Sequence, residues 1–247
     1  MRRSILNRPV AFLGQSMPLA TLALVGFVIL GSALLAFSAR LGAPVLSLST
    51  LSPALVVRGQ LWRLLSWPFF ELDGQGLIFG SLMLGFFGRD LAASWGGRRY
   101  LAVCLGVGAT AGLLTCLIGL AWDDVYRTQY LSIWPLANAL AVAWALLFPS
   151  RTILFMFVLP AAGRNLLYAT VGLTVLFAVM YGFSNFVPHF LAMGMMYAYI
   201  VGGTILRARW RVNKLVSPKR SNPGLKVMEG GWNKDSDRGS NGSGWVH

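Results

Sequence analysis

Long apolar segments dominate the chain and alternate with short polar connections. Six of them are near 20 residues long, the length that a helix needs to cross about 30 Å of hydrocarbon. They occupy residues 19–37, 76–94, 100–122, 131–148, 166–183 and 189–206. The pattern therefore predicts an all-α, polytopic membrane protein, a bundle of six transmembrane helices that spans residues 19–206.

The remaining segments are expected to lie outside the bundle. Residues 1–18 form a short basic start without a convincing signal-peptide cleavage site. Residues 38–75 form a long, semi-apolar connection, and residues 152–159 are too few to cross, so they predict an interfacial or re-entrant piece. Residues 207–247 are rich in Gly, Ser, Asn and cations, which predicts a disordered tail.

Composition supports a membrane protein and excludes several other classes. Hydrophobic residues make up 56% of the chain and charged residues 12%, and the mean hydropathy is +0.63. A soluble domain carries about 25% charged residues. A water-soluble domain, a disordered chain and a disulfide-rich secreted scaffold are therefore excluded.

The charge distribution predicts an orientation. If the N-terminus is cytoplasmic, the inner segments hold 17 of the 21 cations and carry the whole net charge of +13. Cytoplasmic segments of membrane proteins carry such an excess, which predicts that both termini are inside. The basic residues flank spans, so we expect them to contact anionic lipid at the cytoplasmic face and do not expect nucleic-acid binding. We expect the protein to lie in the bacterial inner (plasma) membrane.

Few residues in the spans could carry chemistry. The ionisable candidate is His189, at the outer end of the sixth span, and it could be a general base, a metal ligand or a hydrogen-bonded interfacial group. One histidine does not make a metal site, and no cofactor is indicated. Cys104 and Cys116 lie roughly 18 Å apart along one helix, beyond disulfide reach, and are expected to be apolar fillers.

Several small and polar residues are expected to serve packing. Asn138 in the fourth span is expected to bond a neighbouring helix. Gly108 and Gly112 are four residues apart, a spacing that lets two helices approach closely. Ser132 is expected to be a helix cap or a wetted hydroxyl.

Four short motifs are the most distinctive part of the sequence. They are Gln60-Leu-Trp62-Arg63-Leu-Leu in the connection, Phe87-Gly88-Arg89-Asp90-Leu91, Leu147-Phe148-Pro149-Ser150-Arg151, and Pro188-His189 opening the sixth span. Trp62 and Arg63 suit an element at the outer membrane interface, where an indole lies at headgroup depth and a guanidinium bonds carbonyls or lipid.

In this order and spacing the motifs resemble the rhomboid superfamily. The resemblance covers residues 58–206 and implies a six-helix bundle whose active members are intramembrane serine proteases with a Ser–His dyad. His189 matches the catalytic histidine.

The other catalytic positions depart from the rhomboid pattern. Trp134 stands at the place of the nucleophilic serine, and an indole cannot be activated for attack on a carbonyl. Gly76 and Gly80 stand where the resemblance implies the histidine and asparagine that stabilise the oxyanion. Where the rhomboid pattern has Gly-Gly after the catalytic histidine, this chain has Leu191-Ala192.

The chain is therefore expected to be a catalytically inactive rhomboid-like protein, comparable to the Derlins. Such a protein would bind other membrane proteins or transmembrane helices, or act as a subunit of a membrane complex, without hydrolysing peptides. Two alternatives are an active protease that uses Ser132 as a displaced nucleophile and a small transporter.

Overall fold

A computed structural model describes residues 6, 9–12, 15–155 and 159–216. Most of the described residues are helical, and the chain divides into the units Met1–Leu206 and Arg207–His247. The helices are α1 (Leu19–Arg40), α2 (Val45–Ser49), α3 (Pro53–Val57), α4 (Arg63–Ser66), α5 (Gly74–Trp95), α6 (Gly97–Gly119), α7 (Asp123–Arg127), α8 (Trp134–Leu147), α9 (Gly163–Tyr181) and α10 (Phe183–Val216), with a 3-10 turn at Trp67–Phe69.

Within the described residues, five helices are long and apolar enough to cross a membrane: α1, α5, α6, α9 and the Phe183–Thr204 part of α10. An all-α, polytopic membrane protein is therefore confirmed. The predicted fourth span is represented by α8, which has only 14 residues and a length of about 21 Å. Pro135 lies in the first turn of α8, and the helix ends just before Phe148-Pro149 because a residue that precedes proline disfavours helical geometry.

Helix α8 lies at the centre of the bundle. It contacts α5, α6 and α9, and ten of its 14 residues are buried. A helix that is apolar on every side lies either in a protein core or among lipid tails, and the burial of α8 places it in the core of the bundle. This placement brings the loop before α8 against the long connection between α1 and α5, where the candidate site lies.

Two short antiparallel hairpins were not predicted. Strands β1 (Pro9–Phe12) and β2 (Gln15–Pro18) pair ahead of α1, and strands β3 (Thr152–Phe155) and β4 (Leu159–Ala162) pair between α8 and α9. The second hairpin includes described residues of the segment predicted as interfacial or re-entrant. Periodicity does not separate a short apolar strand from other short apolar pieces, which explains the difference.

The last helix begins earlier and ends later than predicted. Gly182, with a φ of +95°, separates α9 from α10, so Pro188 and His189 lie inside α10 instead of opening it. Helix α10 also continues past Leu206 to Val216, into the segment that was predicted to be disordered. The rest of that tail, residues 217–247, lies outside the described residues.

The proline inside α10 is matched by a tyrosine from another element. Pro188 has no N–H, so the carbonyl of Ser184, four residues earlier, lacks its usual helical donor. The hydroxyl of Tyr130 donates to this carbonyl at 2.8 Å. Burial raises the pKa of Tyr130 to about 12, so the hydroxyl keeps its proton and remains a donor at neutral pH.

Candidate functional site

A cavity of about 180 Å³ lies where the loop before α8 meets the first turns of α10. We call it the Ser132 cavity. It is lined by Trp67, Gln129, Tyr130, Leu131, Ser132, Pro135, Asn185, Pro188 and His189. The fold thus brings Ser132 and His189, which the sequence analysis considered separately, to the walls of one cavity.

The hydroxyl of Ser132 is bonded to a carboxylate. Its Oγ donates to Glu71 Oε2 at 2.8 Å and accepts the N–H of Trp134 at 3.3 Å. Glu71 Oε1 also accepts weak bonds from the N–H groups of Leu72 and Asp73, at 3.2 and 3.4 Å. The proton of Ser132 is therefore directed at Glu71.

Glu71 is the residue of this site that the sequence analysis missed as a functional candidate. Only 8% of it is exposed, and in the described part of the chain no Lys, Arg or His forms an ion pair with it. A buried carboxylate without a cation is unusual, because burial of a charge is costly unless it is paired. The sequence signal was an acidic residue just after the apolar run Trp67–Phe70.

His189 has an unsatisfied ring nitrogen. Its Nδ1 is shielded from solvent and has no hydrogen-bond partner among the described residues. The ring lies against Phe186, with a centroid distance of 4.8 Å and an interplanar angle of 36°. The imidazole thus contacts an aromatic ring, and other atoms of His189 than the shielded Nδ1 line the cavity.

The residues at the other catalytic positions are packed against neighbouring chain. Trp134 is partly buried against the core. A Cβ at Gly80 would overlap the side chain of Ile133, and a Cβ at Gly76 would lie 3.1 Å from both Glu71 Cδ and Asp73 Oδ2. Both glycines therefore allow α5 to approach the neighbouring chain closely, and a larger side chain would have little room.

Arg63 of the Trp-Arg motif is an internal anchor of the connection between α1 and α5. It is 2% exposed, and its guanidinium donates to the carbonyls of Ser47 and of Thr50, the latter at 2.6 Å, and to Gln60 Oε1 at 2.7 Å. Trp62 is 52% exposed, and its indole N–H donates to the Leu48 carbonyl at 3.3 Å. Backbone carbonyls are among the partners that the sequence analysis expects for this guanidinium.

The glycines of α6 pack against the 3-10 turn at Trp67–Phe69 and against α4. Trp67 Nε1 donates to the Gly108 carbonyl at 3.2 Å. A Cβ at Gly112 would lie 2.7 Å from Trp67 Nε1, and one at Gly108 would lie 2.7 Å from Pro68 Cγ. The 3-10 turn carries the large side chains that fill the space at both glycines, and Leu64 of α4 lies 3.5 Å from a Cβ at Gly112.

Asn138 contacts a neighbouring helix. Its Nδ2 donates to Thr174 Oγ1 of α9 at 3.4 Å, a long and therefore weak bond. Thr174 in turn donates to the carbonyl of Thr170 at 2.8 Å. This polar contact connects α8 with α9.

The Phe87–Asp90 motif lies at the opposite end of the bundle from the cavity. Asp90 Oδ2 accepts from Trp144 Nε1 at 2.9 Å and from Arg151 Nη1 at 3.1 Å, while Arg89 Nε is 3.8 Å from Asp90 Oδ1. The ring of Phe87 lies 5.9 Å from that of Trp144. The motif therefore fastens α5 to both ends of the α8–β3 connection.

A protein-family model covers most of the chain. The family described as "Eukaryotic integral membrane protein (DUF1751)" matches residues 21–201, which include every transmembrane candidate helix except the ends of the first and last. The chain belongs to this family. No curated protein sequence matches the chain.

Membership in a eukaryotic family corrects the predicted location. The expectation of the bacterial inner membrane is wrong, since the family is one of eukaryotic integral membrane proteins. The expectation was built on hydropathy and on the asymmetry of Lys and Arg. Those signals report insertion and orientation in a bilayer and do not distinguish one cell's membrane from another's.

The arrangement of the site restricts its chemistry. Among the described residues, no group of three or more His, Cys, Asp or Glu side chains is placed to hold a metal ion. The groups that do meet at the cavity are a hydroxyl, an imidazole and, behind the hydroxyl, a carboxylate. These groups offer hydrogen bonds and negative charge.

Proposed function

We propose that the protein is a rhomboid-like pseudoprotease that binds other membrane proteins through its helix bundle, without hydrolysing peptides. In this proposal α8 is the fourth of six spans, and both termini are cytoplasmic. The support is the order of the four motifs along the chain together with the central position of α8. Membership in a family of integral membrane proteins is consistent with this function.

The observation that carries the proposal is the bond from Ser132 to Glu71 at 2.8 Å. Hydrolysis through Ser132 would need its proton to pass to a base and negative charge to develop on the substrate's carbonyl oxygen. A carboxylate beside Gly76, where the rhomboid resemblance puts an oxyanion donor, would oppose that charge. Binding, which needs no such charge, is compatible with the site.

A displaced-nucleophile protease is the second candidate, because Ser132 and His189 line one cavity. It would require the hydroxyl to turn from Glu71 to the imidazole. We expect no labelling of the purified protein by a serine-directed fluorophosphonate, with an active rhomboid protease as the positive control. Labelling of the wild type that disappears in Ser132→Ala would establish the protease and refute the pseudoprotease.

Partner binding can be tested by position-specific crosslinking in cells. A photo-reactive amino acid at Asn185, on the exposed rim of the cavity, is compared with one at Leu34, on the exposed face of α1. We expect crosslinks from Asn185 to proteins with transmembrane helices and few from Leu34. Equal yields at both positions would mean non-specific contact in the bilayer and would contradict binding at the site.

The proposed orientation has its own test. Single cysteines are placed at Arg127 and at Arg164, which both lie in exposed positions, in a chain whose Cys104 and Cys116 are replaced by alanine. In sealed vesicles of known sidedness, a membrane-impermeant maleimide should label the two positions from opposite sides. Labelling of both from one side would contradict a spanning α8.

A further inference from the structure

Two arginines lie at the end of the bundle where α5 turns into α6. Only Gly96 separates the two helices, and both helices are candidate membrane spans. Arg98 and Arg99 follow in the first turn of α6, and both are exposed. Because two spans end at this turn, the two guanidinium groups lie at a membrane surface, at the depth of the lipid headgroups, whichever way the chain is oriented.

The side chain of Arg99 is held by a tyrosine of another helix. Its Nε donates to the hydroxyl of Tyr199 in α10 at 2.8 Å, and Cζ lies 5.6 Å from the centroid of the tyrosine ring. The ring of Trp95, the last residue of α5, packs edge-on against the same tyrosine, with a centroid distance of 6.0 Å and an interplanar angle of 78°. We call Trp95, Arg99 and Tyr199 the Arg99 cluster. It joins α5, α6 and α10.

The bond to Tyr199 leaves most of the guanidinium available. An arginine has five N–H donors, and this bond uses the one on Nε. Among the described residues, neither Nη group of Arg99 has a hydrogen-bond or ion-pair partner. The two Nη groups of an arginine fit two oxygens of a phosphate. The protein thus orients this side chain while the donors that suit a phosphate stay unused.

Positive charge at this end of the bundle exceeds the negative charge that the chain supplies. The segments at this end, residues 89–99 and 149–164, hold five arginines and one acid, Asp90. Asp90 already accepts a hydrogen bond from Arg151 at 3.1 Å, and in the described part of the chain no carboxylate pairs with Arg99. An anion from outside the chain therefore complements the charge of this surface.

We propose that the Arg99 cluster binds the headgroup phosphate of an anionic phospholipid. The Nη groups of Arg99 donate to phosphate oxygens, and Tyr199 holds the guanidinium in position. Trp95 and Tyr199 border the headgroup, at the depth where aromatic side chains of membrane proteins collect. A lipid suits this place better than free phosphate does, because its acyl chains extend along the apolar helices that end here. The site is separate from the Ser132 cavity, so it does not depend on the proposed function.

The test measures lipid binding to the full-length protein in a neutral detergent by native mass spectrometry. The probes are phosphatidylinositol and phosphatidylcholine with the same acyl chains. Both carry a phosphate diester, but choline supplies its own cation to that phosphate. We expect phosphatidylinositol to bind at least about tenfold more tightly, the gain typical of hydrogen bonds to a charged group. Equal affinity of the wild type for the two lipids would overturn the proposal.

Two arginine variants separate this site from general attraction to the surface. Arg99→Gln and Arg164→Gln each remove one exposed cation from the first turn of a candidate span, α6 or α9. Only Arg99 is bonded to Tyr199. We expect Arg99→Gln to lose most of the preference for phosphatidylinositol and Arg164→Gln to keep it. Equal losses in the two variants would mean that every arginine at this surface acts alike, and the proposal would fail.

A third variant tests the orientation of the guanidinium without a change of charge. Tyr199→Phe removes the hydroxyl that accepts from Arg99 Nε, so it should weaken the binding of phosphatidylinositol and leave that of phosphatidylcholine unchanged. This variant also decides the matter if Arg99→Gln fails to fold, since unchanged binding of phosphatidylinositol would refute the oriented site. An excess of inorganic phosphate should not displace the lipid. Displacement would show that the cluster takes free phosphate and would refute the lipid.

Discussion

Replacing Arg63 by alanine tests whether the connection between α1 and α5 is held by one buried side chain. The guanidinium bonds the carbonyls of Ser47 and Thr50 and the side chain of Gln60, and it is 2% exposed. Helix α2 ends at Ser49, so the guanidinium bonds two carbonyls near its C-terminal end. Favourable interaction with the helix dipole adds to these bonds.

The expected loss of stability follows from the acceptors left behind. The buried carbonyl of Thr50 loses a charged donor, at about 1–3 kcal/mol, whereas Ser47 is exposed and Gln60 is only partly buried, so both of these can bond water. Removal of the guanidinium also removes the cost of its burial. We therefore expect a net loss of about 1–3 kcal/mol, which corresponds to a fall of about 2–12 °C in the unfolding temperature for a chain of this size.

The protein carries its own reporter for this measurement. Cys104 and Cys116 are both free and buried in α6, so a thiol-reactive dye becomes fluorescent only when the bundle opens. Arg58→Ala, in the same connection but exposed, is the matched control and should change the unfolding temperature by no more than about 1 °C. If Arg63→Ala unfolds at the same temperature as Arg58→Ala, the guanidinium does not hold the connection and the reasoning fails.

Two further predictions concern single atoms in the bundle. Tyr130→Phe leaves the Ser184 carbonyl without a donor and should cost about 1–3 kcal/mol. Burial raises the folded-state pKa of Tyr130 to about 12, so this stabilisation is complete below the unfolded pKa of about 10 and declines as the pH rises toward 12. The difference in unfolding free energy between wild type and variant should therefore be smaller at about pH 11 than at about pH 8. An unchanged difference would contradict the assignment. Gly88→Ala places a methyl group against the Tyr100 hydroxyl and should destabilise by about 1–3 kcal/mol, and Tyr100→Phe in the same chain should restore part of the loss; no restoration would mean that the clash lies elsewhere.

The spans could be predicted because their signal is local. A run of about 20 apolar residues is sufficient evidence for a transmembrane helix, and the predicted spans 19–37 and 76–94 fall within α1 and α5. Boundaries set by other elements could not be predicted in this way. Helix α10 begins before Pro188 because Tyr130 supplies the donor that the proline leaves out, and no window of sequence around Pro188 contains that tyrosine.

The candidate site could be predicted only in part, because one of its main contacts joins residues that are far apart in the sequence. His189 and Ser132 could be found as polar residues near the ends of apolar runs. The importance of Glu71 could not, because its contact with Ser132 joins residues 61 positions apart, and in the sequence it is one of several acids in a connection. The partner of Gly108 and Gly112 could not be predicted either, since the spacing of small residues indicates a close approach and does not identify the element that approaches.

The departures of this chain from the rhomboid pattern are physically connected. Glycine at position 76 leaves the space that Glu71 and Asp73 occupy, with only 3.1 Å between a Cβ there and either side chain. Glycine at position 80 leaves the space that Ile133 fills. Ile133 follows Ser132 in the chain and immediately precedes α8, which begins at Trp134. A histidine or asparagine restored at these positions would therefore displace the carboxylate that bonds Ser132, or the residue that positions the start of α8. Restoring the missing catalytic residues one by one would therefore disturb the present site without forming an active one, because other side chains already fill the space that the glycines leave.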